Sequence, residues 1–145
     1  MIITILLINM AETCLFSCFL SPNENWFWYF CITVRSRGCY RDTGRRAIPQ
    51  MDGKGLLVRG FYRRRSDAIA KCALEAAKRR YRAFAVQHQG WCATGPRAHL
   101  TYRKYGRSNK CRNGKGGPWA NDVYFVSGRF KKNEYHCIKP FLYMG

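Results

Sequence analysis

Eight cysteines constrain the fold of this 145-residue chain more than any other feature of its sequence. They are Cys14, Cys18, Cys31, Cys39, Cys72, Cys92, Cys111 and Cys137. No two of them form the C-x-x-C pair that is typical of zinc ribbons and dithiol redox sites. Widely spaced cysteines favour a disulfide framework, which forms in oxidising compartments. A chain of this length forms one small domain, which covalent cross-links help to stabilise.

The first 36 residues differ in composition from the rest of the chain. Residues 1–9 and 26–34 are apolar, and residues 1–36 carry one basic and two acidic side chains. The first apolar run resembles the core of a secretory signal, without a basic start or an A-x-A cleavage site. We interpret residues 1–36 as an apolar leader, either a signal peptide or a non-native start. The alternative is a membrane anchor formed by residues 1–34, in which Glu12 would lie mid-span and which residues 21–25 interrupt.

The positive charge of the chain is concentrated after the leader. Residues 37–126 contain 21 Lys and Arg against 5 Asp and Glu, a net charge of +16. Residues 127–145 form a basic C-terminal tail. An electrostatic field of this strength favours polyanionic partners and opposes self-association. The alternative is a basic surface without a specific partner.

One segment, residues 66–81, has the pattern of an amphipathic helix. Ser66 is the expected N-cap because its hydroxyl can accept hydrogen bonds from the first turn. Cys72 lies on the apolar face and Glu75 on the opposite, charged face. The sequence therefore predicts that Cys72 points into the core and that Glu75 faces solvent.

Three segments have strand character. Residues 82–87 alternate, residues 121–126 are β-branched and aromatic, and residues 37–40 form a short strand before a turn. We therefore predict an α+β fold. It is a small disulfide-stapled domain in which one helix packs on a small antiparallel sheet, with long basic loops.

Several short motifs occur in the order seen in WSC-type domains. They are Gly38-Cys39-Tyr40-x-Asp42, Arg46-Ala47, a helix with Cys72, Tyr81-x-x-Phe84-Ala85-Val86-Gln87, and Gly90-x-Cys92. Residues 37–126 thus resemble a WSC-like, or more loosely PAN/apple-like, extracellular cysteine-rich module, with fewer cysteines than WSC domains have. The resemblance implies carbohydrate binding, as in WSC modules, or binding of glycans or proteins, as in PAN/apple modules.

The four cysteines of this module allow three pairings. Cys72 on the buried helix face and Cys92 on the adjoining strand are expected to lie next to each other. That leaves Cys39 with Cys111, a bridge that closes the ends of the module. We predict these two disulfides.

The stretch CRNGKGGPWANDVY, residues 111–124, has features of two kinds of ligand site. A phosphate-binding loop is excluded, because Asn109 and Gly116 replace the first glycine and the metal-binding hydroxyl. Trp119, Asn121 and Asp122 instead combine an aromatic face for sugar C–H groups with hydrogen-bonding groups for hydroxyls. We predict that these three residues set carbohydrate selectivity. The alternatives are a purely structural loop and a core position for Trp119.

Residues 101–115 interleave basic and aromatic side chains, a pattern that suits sulfated or carboxylated glycans and, equally, single-stranded nucleic acid. The predicted glycan contacts here are Tyr102, Arg103, Lys104, Tyr105, Arg107, Lys110, Arg112 and Lys115. The chain has no helix-turn-helix, zinc-finger, RRM or KH signature.

Neither an enzyme nor a metal protein is indicated. Acidic residues are few and scattered, so no carboxylate pair stands out. A metal site built from His88, Cys92, His99 and Cys111 fits no standard zinc spacing. We predict no catalytic residues, no cofactor and no metal.

The sequence therefore predicts a secreted, extracellular carbohydrate-binding module for anionic or sulfated glycans of cell surface, mucus or matrix. One alternative is a basic host-defence protein that acts on anionic microbial surfaces. The other is a nucleic-acid-binding protein.

Overall fold

A computed structural model describes residues 4–9, 12–20 and 25–133 of the chain, with side chains for residues 32–128. The chain divides into two units, residues 1–31 with 129–145 and residues 32–128. In the first unit, strand β1 (Thr4–Asn9) pairs antiparallel with strand β2 (Glu12–Leu20). The division into leader, module and tail stays a prediction, and residues 134–145 of the tail lie outside the described residues.

The unit of residues 32–128 is built on a four-stranded antiparallel sheet with the order β3-β6-β4-β5. Its strands are β3 (Asn25–Arg41), β4 (Ala83–Gln87), β5 (Trp91–Thr94) and β6 (Ala120–Asn133). Val86 on β4 lies opposite Cys92 on β5 and Asp122 on β6, which sets the register. All five residues of β4 are buried, because this strand is central and covered on both faces.

Helix α1 (Ala68–Lys78) covers one face of the sheet. Its Cys72 is fully buried and bonded to Cys92, so Val86 and Cys92 lie on the helix side. Phe84 and Tyr124, paired across β4 and β6, stack on the same side with ring centroids 5.2 Å apart.

The opposite face of the sheet is covered by chain segments outside the strands. Ala83, Ala85, Trp91, Ala93 and Val123 pack there in one buried cluster. The cover is supplied by Ile48, by Ala98 of the short helix α2 (Ala98–Thr101) and by Tyr102. Two 3-10 turns, Leu56–Val58 and Tyr62–Arg64, precede α1.

The start of α1 differs from the prediction. The N-cap is Asp67, which has a left-handed backbone (φ +52°) and makes no side-chain capping bond. The Ser66 hydroxyl instead accepts a hydrogen bond from Lys71 Nζ at 3.0 Å. The prediction that Ser66 caps the helix is therefore wrong.

Glu75 is also placed differently from the prediction, because it is buried rather than exposed. Its carboxylate accepts the Leu57 N–H at 2.8 Å and pairs with Arg79. Burial acts to raise the pKa of Glu75, but the bonds from Leu57 and Arg79 outweigh it and hold that pKa below its usual value. These partners allow a carboxylate to lie beneath the surface.

Within residues 32–128 the cysteines form the disulfides Cys72–Cys92 and Cys39–Cys111, the pairs expected from the sequence, with Cα–Cα distances of 5.6 and 5.9 Å. They complete the predicted α+β fold of one main helix on an antiparallel sheet. The predicted long basic loops are not confirmed. No helix among the described residues is long and apolar enough to cross a membrane.

Candidate functional site

An open cleft of about 750 Å³ lies where β3 ends, beside residues 105–110 and the start of β6. We call it the tryptophan cleft. Its basic and aromatic lining comes from Arg41, Tyr105, Arg107, Lys110 and Trp119. Asp42, Thr43, Ser108 and Asn109 complete the lining. The cleft therefore combines basic groups with aromatic rings at one place on the surface.

Backbone contacts join the two distant segments that form this cleft. The Arg41 N–H donates to Gly106 O at 2.9 Å, and the Ser108 N–H donates to Cys39 O at 3.1 Å. The Cys39–Cys111 disulfide fastens the same segment a few residues later. Arg41 and Arg107, far apart in sequence, are thereby brought to one cleft.

Trp119 is the most exposed aromatic group of the cleft, with 54% of its surface accessible. Its backbone is left-handed, with φ +53°. This conformation is uncommon for a bulky residue and is held by surrounding contacts. One of them is the Asp42 N–H, which donates to Trp119 O at 2.9 Å. The alternative that Trp119 is a core residue is thus excluded, and more than half of its surface is open to solvent.

Arg46 lies between two tryptophan rings and orients the exposed one. Its guanidinium carbon is 4.4 Å from the centroid of Trp91 and 4.9 Å from that of Trp119. Its Nη1 donates to Asp42 Oδ2 at 2.7 Å and to Gln87 Oε1 at 3.0 Å. The hydrogen bonds to Asp42 and Gln87, together with the two tryptophan rings, therefore hold the guanidinium in one position and orientation.

The Asp42 side chain is fully buried and fully engaged. Besides Arg46, it accepts the Ala47 N–H at 2.9 Å and Gln87 Nε2 at 3.2 Å. Asp42 and Arg46 neutralise each other. Arg41, Arg107 and Lys110 form no salt bridge within residues 32–128, so they supply the net charge of the cleft.

The predicted contacts in residues 101–115 are not all at the surface. Tyr102 is a core residue, 4% exposed, and its hydroxyl accepts from Arg103 Nε at 2.7 Å. Arg103 and Lys104 are exposed but do not line the tryptophan cleft. Tyr105 lines it, and a hydrogen bond with Lys104 lowers the pKa of that phenol.

Asn121 and Asp122 are not placed to contact a surface ligand directly. Asn121 is fully buried, and within the described residues its side-chain amide has no hydrogen-bond partner. Asp122 is nearly buried and accepts the Gly116 N–H at 2.9 Å. Burial raises the pKa of Asp122, with the Gly116 bond acting against that shift. Both residues belong to β6, which is central in the sheet, so of the predicted selectivity set Trp119 alone presents its side chain.

The glycines of residues 111–119 allow close packing. A Cβ on Gly116, whose φ is +70°, would lie 2.4 Å from Val86 O. A Cβ on Gly117 would lie 2.0 Å from Lys110 O. The Tyr124 hydroxyl donates to Gly114 O at 2.6 Å. This loop therefore packs tightly against β4 and β6, as expected for the alternative of a structural loop. Trp119, at its end, is exposed.

Sequence reasoning missed Arg41 and Arg46 as parts of this site. Arg41 precedes a turn and has no motif of its own, and only its pairing with residue 106 brings it to the cleft. For Arg46, the signal was the spacing of four from Asp42, which suits a salt bridge when the chain turns.

The hypothetical metal ligands are not gathered into a site. Cys92 and Cys111 are in disulfides, and the part of the chain that the structure describes holds no cluster of three or more potential metal-binding side chains.

Comparisons with known proteins give no guide to the function of this site, which is therefore interpreted from its own chemistry. No protein-family model, no curated protein and no solved structure matches this chain.

Proposed function

We propose that this protein is a secreted, extracellular WSC-like module that binds anionic glycans in the tryptophan cleft. The proposal rests on one observation. The exposed ring of Trp119 lines the same cleft as the cations of Arg41, Arg107 and Lys110. Sulfate and carboxylate groups are the acceptors that guanidinium groups bind best, through paired hydrogen bonds. An indole face packs on the apolar face of a sugar ring in the same way as it packs on other C–H surfaces.

The proposal is for binding without catalysis. Asp42, the acidic residue in the lining of the cleft, is held by Arg46, Gln87 and the Ala47 N–H. A carboxylate so engaged is not available as a general base. The two disulfides support an oxidising, extracellular location, where such bonds persist.

The test is binding of heparin-type chains, measured by calorimetry at low and at moderate ionic strength. Replacing Arg41 and Arg107 together by serine should weaken binding by about 10-fold at low salt, since each exposed charge contact contributes up to about 1 kcal/mol. The salt dependence should become shallower, because fewer counterions are released from the polyanion. The matched control is Lys54→Ser with Arg97→Ser, two exposed cations outside the cleft. Equal loss in variant and control would contradict the proposal.

Trp119→Ala tests the aromatic part of the site. Because the ring is more than half exposed, the free energy of unfolding should fall by only about 1 kcal/mol, chiefly through the lost contact with Arg46. On a glycan array the preference among anionic sugars should change. An unchanged preference with unchanged stability would remove Trp119 from the site.

The two alternatives predict different ligands in the same assay. A nucleic-acid-binding protein would bind single-stranded DNA more tightly than a glycan of equal charge. A host-defence protein would bind anionic lipid vesicles and perturb them. Arg103 and Lys104 lie outside the cleft. Replacing both by serine shows whether the rest of the basic segment contributes to the binding of any of these ligands.

A further inference from the structure

A second basic cleft, of about 430 Å³, also has Lys110 in its lining. We call it the loop cleft, because residues 110–118 form much of its wall. Its ionisable lining groups are Arg63, Arg65, His88, Lys110, Arg112 and Lys115. Lys110 lines both this cleft and the tryptophan cleft, so the two are adjacent.

Arg65 is already occupied by structural contacts. Its side chain is 4% exposed and bonds Asp52 and Gly90 O at 2.6 Å each, and Val58 O at 2.7 Å. These bonds tie the segment before α1 to Gly90, the residue that precedes β5. Arg65 therefore holds the wall of the cleft in place and is not free to bind a ligand.

The other cations of the loop cleft have no carboxylate partner among the residues whose side chains the structure describes. Arg63, Lys110, Arg112 and Lys115 form no salt bridge within residues 32–128. Arg63 Nη2 lies 3.3 Å from His88 Nε2, and Arg112 Nη1 donates to Asn109 O and Cys111 O at 2.9 Å each. Like charges grouped in this way repel one another unless an anion lies among them.

The backbone of the loop cleft is fixed before any ligand binds. Gln89 N–H donates to Lys115 O at 2.9 Å, and Arg112 N–H donates to Gly116 O at 3.1 Å. Gly116 N–H is held by the buried Asp122 carboxylate behind the wall. Such preorganisation lowers the entropic cost of binding. The loop cleft thus has the charge and the rigidity of an anion site.

We propose that the two clefts form one extended site, across which a linear sulfated glycan passes over Lys110. The tryptophan cleft would hold one part of the chain and the loop cleft the sulfates that follow it. This inference rests on the proposed function. A short oligosaccharide occupies one cleft, whereas a longer one gains the second contact within the same complex, which raises its affinity.

The test uses size-fractionated heparin-type oligosaccharides, from the disaccharide upward, at one low ionic strength. For the unaltered protein, affinity should rise by about 10-fold or more with length and then level off. Arg63→Ser with Lys115→Ser should abolish most of that gain and leave the affinity for the shortest binding oligosaccharide within about 2-fold. Lys54→Ser with Arg97→Ser, two exposed cations outside both clefts, should retain the gain.

The outcomes separate the inference from the proposed function. If the unaltered protein binds glycans without a gain from length, the extended site is wrong and the tryptophan cleft stands alone. If it binds no anionic glycan of any length, the proposed function fails and the extended site falls with it. An equal loss in the Lys54 and Arg97 control, or tighter binding of single-stranded DNA of matched charge, also overturns the inference. Arg63→Ser alone repeats the test if the double variant does not fold, since Arg63 lies outside the loop.

Discussion

Replacing Arg46 by alanine should lower the free energy of unfolding of residues 32–128 by about 3–5 kcal/mol. Removing one partner of a buried ion pair costs about 3–5 kcal/mol, because the other charge is left without compensation. Here the Asp42 side chain is fully buried, but the Arg46 side chain is 31% exposed. Asp42 also keeps the Ala47 N–H and Gln87 Nε2, which reduces this contribution to about 2–3 kcal/mol.

The stacking of Arg46 adds a second contribution. Its guanidinium lies 4.4 and 4.9 Å from the centroids of Trp91 and Trp119. Each such contact at a partly exposed site contributes about 0.5–1 kcal/mol. Together with the loss at Asp42, this gives the expected 3–5 kcal/mol.

The assay is urea unfolding of the unaltered protein and of Arg46→Ala, Arg46→Lys and Asp42→Asn, followed by circular dichroism. Arg46→Lys keeps the charge but loses the flat stacking surface, so a loss of about 1–2 kcal/mol should remain. A double-mutant cycle between Asp42 and Arg46 should give a coupling of at least about 1 kcal/mol. Moderate salt should change this coupling little, because buried pairs are weakly screened.

A loss below about 1 kcal/mol for Arg46→Ala would refute the reasoning, since it would place the pair among ordinary surface ion pairs. So would full retention of stability in Arg46→Lys, because the rings would then contribute nothing.

Three further predictions follow from the packing of the unit. Removing the Cys39–Cys111 disulfide by alanine substitution should cost about 4–5 kcal/mol in urea unfolding, as its sequence separation of 72 predicts, and no loss would contradict that account. Gly116→Ala should cost about 2–4 kcal/mol through strain and overlap, whereas Gly106→Ala, also at positive φ but with open space, should cost about 1 kcal/mol; equal losses would refute the overlap. Burial raises the pKa of Tyr124 from 10.0 to about 12, so the neutral phenol stabilises the fold below pH 10, and stability of roughly 2–3 kcal/mol should be lost between pH 10 and 12. An absorbance titration of tyrosinate, compared with Tyr124→Phe, measures that shift, and ionisation near 10 would contradict it.

The regular elements could be predicted from the sequence where local pattern decides them. The helix expected at 66–81 is Ala68–Lys78, and the strand expected at 82–87 is Ala83–Gln87. The burial of Glu75 could not be predicted, because its partner Leu57 lies 18 residues away and outside the helix. Helical periodicity places a charged residue on a face but does not show what packs against that face.

The site could be predicted only in part, for a similar reason. Trp119, Asn121 and Asp122 form one motif in the sequence, but β6 begins at Ala120 and separates them. The Trp119 ring is exposed at the surface, whereas the Asn121 amide and the Asp122 carboxylate belong to a central strand and are buried. Arg41 reaches the cleft through antiparallel pairing with a segment more than sixty residues later, and nothing in the local sequence indicates that pairing.

On the proposed function, the Cys39–Cys111 bridge makes the geometry of the binding surface dependent on oxidation of the chain. Cys111 follows Lys110, which both clefts share, and Cys39 lies two residues before Arg41. A chain whose cysteines are reduced lacks this link, so only backbone contacts such as Arg41 N–H to Gly106 O join the two segments that carry the cations of the cleft. The affinity of the proposed site for polyanions should therefore be higher in the oxidised chain than in the reduced chain.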